Sequence, residues 1–78
     1  MYQIRIHRRV AKKLQKLPSK EYQKVSKILH QLAKTGQSPK MKKLSGKYHG
    51  SYRLRVGDWR LLFTKDDKKK VILLTSLH

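Results

Sequence analysis

The chain has 78 residues, of which 21 are Lys or Arg and only 4 are Asp or Glu, a formal net charge of +17 at pH 7, and it has no cysteine. That length has room for one domain, residues 1–78. The missing cysteine excludes disulfides, Cys-based metal sites and a thiol nucleophile, and no apolar run of about 18 residues is present to form a membrane-spanning helix. A surface this cationic repels itself and is relieved by a polyanion. Nucleic acid is the first candidate, because each phosphate contact releases counterions, an acidic protein the second and an anionic membrane surface the third. The opening Met1-Tyr2-Gln3-Ile4 carries no apolar signal segment, so the cytoplasm is the expected location.

Residues 2–7 alternate, with Tyr2, Ile4 and Ile6 on one side and Gln3, Arg5 and His7 on the other, the pattern of a half-buried strand. From Arg8 the period changes: Val10, Leu14 and Leu17 fall at i, i+4 and i+7, one stripe of a helix. Pro18-Ser19 interrupts it. A second helix follows with Ser19 as its expected N-cap, an apolar stripe of Tyr22, Val25, Ile28, Leu29 and Leu32, and Gly36 as the residue that ends it. Residues 37–50 are polar and Lys-rich and read as a loop or an irregular strand.

The next segment, Ser51 to Phe63, holds two alternating runs flanking Gly57-Asp58, a pair suited to a two-residue type II′ or I′ hairpin turn. A second turn is expected at Lys65–Lys68. The final run, Val71 to Thr75, is apolar throughout, as in a central strand covered on both faces. The order is β-α-α-β-β-β. The expected fold is α+β, an antiparallel sheet that includes the first strand and carries a helical hairpin on one face.

A two-residue turn at 57–58 fixes the register: Val56 opposite Trp59, Arg55 opposite Arg60, Leu54 opposite Leu61, Arg53 opposite Leu62 and Tyr52 opposite Phe63. Tyr52, Leu54, Val56, Trp59, Leu61 and Phe63 then share the face that carries the helices, and Arg53, Arg55 and Arg60 share the other. Two arginines directly opposite each other destabilise a sheet unless an anion lies between them, and the nearest acid is Asp58 in the turn itself. Three planar guanidinium forks on an open face form a phosphate clamp; the alternative is three solvated arginines that keep the sheet soluble. Lys40, Lys42, Lys43 and Lys47 precede the hairpin and could track a nucleic-acid backbone, and His49 lies near its entrance. No two histidines stand at i, i+4 and acids are few, so no metal is expected.

On Leu44-Ser45-Gly46, on the run from Tyr52 to Phe63 and on a final apolar strand ending in His78, the chain resembles the RelE/ParE toxin superfamily over essentially its whole length. The RelE-like branch implies the toxin of a type II toxin–antitoxin system, an endoribonuclease that cuts mRNA in the ribosomal A site without metal or other cofactor. In that reaction the 2′-OH attacks the adjacent phosphorus and the 5′-oxygen leaves. The resemblance makes Arg55, Arg60 and His78 the catalytic candidates and Lys42, Lys43, Lys47, His49 and Arg53 the RNA-binding ones. Arg60 matches a strand arginine at the scissile phosphate. His78 matches a histidine that follows the last strand in YoeB-, HigB- and YafQ-like branches and acts there as acid or base. Arg53 and Arg55 match positions held by lysine in some members. Arginine does not give up its proton, so these two are expected to act electrostatically. Asp58 matches an acidic turn residue of some branches. The resemblance also implies a cognate acidic antitoxin that folds as it wraps the basic surface. Two other readings share these features: a ParE-like gyrase inhibitor and a non-catalytic RNA-binding protein.

Overall fold

The structure is a computed structural model and describes residues 1–44 and 50–78. The chain runs β1 (Gln3–Ile6), α1 (Arg8–Gln15), α2 (Ser19–Thr35), β2 (Met41–Lys43), β3 (Ser51–Val56), β4 (Trp59–Asp66) and β5 (Val71–Leu77). The strands form one sheet in the order β1-β5-β4-β3-β2. β5, β4, β3 and β2 are antiparallel neighbours, while β1 lies parallel to β5, with Gln3 beside Val71 and Ile6 beside Leu74. The sheet is therefore mixed rather than wholly antiparallel, and it has a fifth strand. After β1 the chain crosses over through both helices before reaching the sheet again, and such a crossover delivers parallel strands.

Both helices cover one face. Val10 and Leu14 from α1 and Val25 and Leu32 from α2 are buried against Leu54, Val56, Leu61, Phe63, Ile72, Leu74 and Leu77. Burying eleven apolar side chains on one side alone leaves the other side of the sheet open, and this sets where chemistry can occur. His7 caps α1: its Nδ1 accepts the Arg9 backbone N–H at 3.2 Å, one of the four donors a helix start leaves unpaired. Ser19 is not the cap of α2. Pro18 holds that position with extended backbone (φ −57°, ψ 153°), and its ring removes a donor while pre-setting the chain for the turn into the helix.

Gly36 ends α2 in the left-handed region (φ 71°), with its N–H bonded to Leu32 O. A Cβ there would overlap the Tyr2 ring, so Gly36 is needed for its backbone angle and for its lack of a side chain. The same tyrosine donates its hydroxyl to Asp67 Oδ1 at 2.5 Å, tying the start of the chain to the β4–β5 turn. Lys65 lies beneath it: its Nζ sits 5.4 Å from the Tyr2 ring and 5.9 Å from the Tyr52 ring and pairs with Asp67 at 3.4 Å.

Strands β4 and β5 run further than expected, so the second turn falls at residues 67–70 rather than 65–68. Asp66 Oδ1 accepts the backbone N–H of Lys68 and of Lys69, each at 3.0 Å, and closes that turn. β5 is not covered on both faces. Ile72 and Leu74 are buried, whereas Leu73 between them is 36 % exposed on the open side.

Candidate nucleic-acid interface on the open sheet face

The hairpin fixes the first part of the site. Every cross-strand pair from Tyr52–Phe63 to Val56–Trp59 has the register that the Gly57-Asp58 turn dictates. Gly57 has φ 61° and Asp58 does not share the positive angle, which selects the type II′ turn. Leu54, Val56, Leu61 and Phe63 are buried, and Arg53, Arg55 and Arg60 are exposed on the opposite face.

β2 extends this cationic surface. Lys42 stands opposite Arg53, on the arginine face, and Lys43 stands opposite Tyr52. Alternation therefore turns Lys43 to the helix side of the sheet, away from the arginines, and the structure separates it from the other candidates. Lys47 and His49 lie outside the described residues. Pro39, Lys40, Lys42, Arg53, Arg55, Gly57 and Arg60 line one groove of about 620 Å³. Lys40 joins the site although it lies outside the strand; its place in a basic run was the signal for it.

A β-bulge adds His78. Leu61 pairs with Leu77 and Leu62 with Ser76, but Phe63 pairs with Leu74, leaving Thr75 as an extra residue in β5. The Thr75 hydroxyl donates to Leu62 O at 3.2 Å and anchors the irregularity. The bulge reverses the phase of the strand. Strict alternation from Ile72 and Leu74 would send Ser76 and His78 into the core; with one residue added, Leu77 goes in and Ser76 and His78 come out. Arg60 N–H donates to His78 O at 2.6 Å and His78 N–H to Arg60 O at 3.0 Å, so the two residues form a directly opposed pair. Lys13 of α1 donates to Leu77 O at 2.8 Å and holds the strand end from the helix side.

Two rows result across the open face: Arg55, Arg60 and His78 in one, and Lys42, Arg53, Leu62 and Ser76 in the next. Among the described residues the one ion pair is Lys65–Asp67, at the far end of the sheet, so no described carboxylate pairs with the three arginines. Arg55 donates its Nε–H to Gly57 O at 3.3 Å. Among the described residues no three His, Asp or Glu side chains come together as metal ligands, and no helix is long and apolar enough to cross a membrane. Such a surface can bind a phosphodiester through several guanidinium groups, and among the described residues the His78 imidazole stands beside them and can carry a proton.

Residues 4–78 match the model of the family described as ParE toxin of type II toxin-antitoxin system, parDE. Among solved structures, the archaeal RelE–RelB complex from Pyrococcus horikoshii OT3 contains a chain 32 % identical to this one. The match covers 97 % of this chain and 91 % of that one, with a TM-score of 0.83. The intact E. coli RelBE toxin–antitoxin complex (23 % identity, 99 % and 94 % coverage, TM-score 0.82) and the YoeB–YefM complex from Staphylococcus aureus (23 %, 99 % and 94 %, 0.78) share the fold. No curated protein sequence matches the chain. The family match over residues 4–78 and the archaeal relative agree: the chain belongs to the ParE toxin family of type II toxin–antitoxin systems, within the RelE/ParE superfamily.

Proposed function

We propose that this toxin is a ribosome-dependent endoribonuclease that cleaves mRNA without a metal. The observation that carries the reading is the row Arg55–Arg60–His78, which puts two phosphate-binding forks and a proton-transfer group on one open face. In the reaction the 2′-oxygen attacks phosphorus and the P–O5′ bond breaks, giving a cyclic 2′,3′-phosphate and a free 5′-hydroxyl. Arg60 and Arg55 stabilise the charge that builds on the non-bridging oxygens, with Arg53 and Lys42 holding the flanking backbone. His78 transfers the proton, as a base toward the 2′-OH or as an acid toward the leaving 5′-oxygen. Groups aimed in advance at developing charge contribute more to rate than to binding.

The surroundings follow from the same chemistry. The site of action is the ribosomal A site in the cytoplasm. The neutralising partner is an acidic antitoxin segment, in keeping with a net charge of +17 and with structural neighbours solved as toxin–antitoxin complexes. The test is induced expression followed by mapping of mRNA 5′ ends. Cuts within translated codons, lost in the His78→Ala variant, support the reading. The family's description as a ParE toxin favours a second one, inhibition of DNA gyrase, for which uncut mRNA and stalled replication are the expected result.

A further inference from the structure

Ser76 stands in the row next to His78 and reaches the open face only because of the Thr75 bulge. Its Oγ lies 3.2 Å from His78 Nδ1. In an unbulged β-strand, residues two apart also share a face, but here the bulge is what turns both to the arginine side. The backbone of His78 is fixed on β4 by its two bonds to Arg60, and Lys13 fixes the carbonyl just before it. The remaining freedom is rotation of the imidazole, and the Ser76 hydroxyl is the side-chain group at hydrogen-bond distance from it.

We propose that Ser76 is a positioning residue: its Oγ accepts the Nδ1–H of His78, which fixes the ring and leaves Nε2 as the atom that exchanges a proton with RNA. This deepens the nuclease reading and rests on it. Among the described residues Nε2 makes no hydrogen bond, so Nδ1 is the nitrogen committed to the fold. Which nitrogen of a neutral imidazole holds the proton is set by the bond the other makes. A base working through Nε2 needs the proton on Nδ1, and an imidazolium acid also carries one there. A serine oxygen accepts in both states. It does so without the negative charge by which a carboxylate would hold the ring protonated. Neither charged side chain bonded near the histidine backbone, Arg60 from β4 or Lys13 from α1, can accept a hydrogen bond, so neither can replace Ser76.

Two measurements on the full chain separate this inference from the reading beneath it. The first is long-range 15N–1H NMR of the histidine rings at about pH 8, with His78 assigned by comparison with His78→Gln. In the wild type the proton should reside on Nδ1; in Ser76→Ala the two nitrogens should move toward each other as both tautomers populate, and Ser76→Thr should restore the wild-type pattern. A His78 spectrum unchanged by Ser76→Ala, or a wild-type ring protonated at Nε2, overturns the proposal. The second is cleavage of mRNA on programmed ribosomes. Ser76→Ala should lower kcat by roughly 10- to 100-fold with KM changed less than about 2-fold, Ser76→Thr should recover most of the loss, and Ser76→Ala should cost nothing further in a His78→Gln background. Equal cleavage by Ser76→Ala and wild type also overturns the proposal. Wild-type protein that leaves mRNA intact while its ring still responds to Ser76→Ala refutes the nuclease reading and upholds the hold of Ser76 on the ring.

Discussion

Arg60 and His78 exchange both of their backbone hydrogen bonds, at 2.6 and 3.0 Å, so their side chains leave the sheet together on its open side. Arg60 is exposed, and truncating it is a surface change worth within about 0.5 kcal/mol of stability. Arg60→Ala is expected to abolish growth inhibition while its denaturation midpoint stays at the wild-type value. Arg60→Lys, which keeps the charge but loses the fork, should retain only part of the toxicity. Full toxicity of Arg60→Ala in an induction assay would remove the phosphate clamp from the mechanism.

The bulge gives a sharper test. Thr75→Val keeps the shape of the side chain and removes the hydroxyl that bonds Leu62 O, an expected loss of about 0.5–1.5 kcal/mol in urea denaturation. Deleting Thr75 is a different matter. Removing the extra residue leaves Ser76 directly after Leu74, so a regular β5 keeps Leu77 in the core and His78 beside Arg60, and the deletion variant should fold and keep its toxicity. A deletion variant that fails to fold or loses its toxicity would show that Thr75 does more than set the phase of this strand.

Gly36 and Tyr2 form a coupled pair. Gly36→Ala meets a left-handed backbone and the Tyr2 ring at once, and should destabilise the chain by about 1–3 kcal/mol. Trimming the ring removes one of the two causes. The double variant Tyr2→Ala, Gly36→Ala should therefore lose less than the sum of the single losses, a non-additivity that thermal unfolding of the four proteins measures.

The Tyr2–Asp67 hydrogen bond predicts a pH dependence with two edges. The hydrogen bond from Tyr2 is the main cause that holds the Asp67 carboxyl below its usual 3.8, aided by the Lys65 ammonium and opposed by desolvation. The same bond is the main cause that raises the Tyr2 hydroxyl above its usual 10.0. The stability that Asp67 contributes is complete above 3.8 and is lost as pH falls through its lowered value. That of Tyr2 is complete below 10.0 and is lost as pH rises through its raised value. Both groups face solvent, so the effect is small and screened by salt. Comparing wild type with Tyr2→Phe, the stability difference should be constant between about pH 5 and pH 9 and narrow beyond both ends. A difference that persists unchanged at about pH 2 would exclude this pair as its source.

The hairpin was legible in the sequence because a Gly-Asp turn between two alternating runs leaves one register, and that register decides the side on which Arg53, Arg55 and Arg60 stand. The placement of His78 beside Arg60 was not legible. Val71 to Leu74 is apolar on both faces, so the run carries no alternation from which to read a phase, and nothing in Leu74-Thr75-Ser76 marks a bulge. β2 was hidden for a related reason: Met41-Lys42-Lys43 is a three-residue edge strand whose lysines look the same whichever way they point, and pairing with β3 alone separates Lys42 from Lys43. The parallel seat of β1 follows from the crossover rather than from any residue in Gln3–Ile6.

The strand synthesised last of the five occupies a place inside the sheet, between β1 and β4. Residues 3–6 have no strand to lie against until residues 71–74 have been made, a sequence separation that spans nearly the entire chain. Non-local pairing of this kind makes completion of the sheet a late event in folding. The row that aligns Arg55, Arg60 and His78 forms only then, so a nascent chain still lacking its final strand carries the charges of this face without their arrangement.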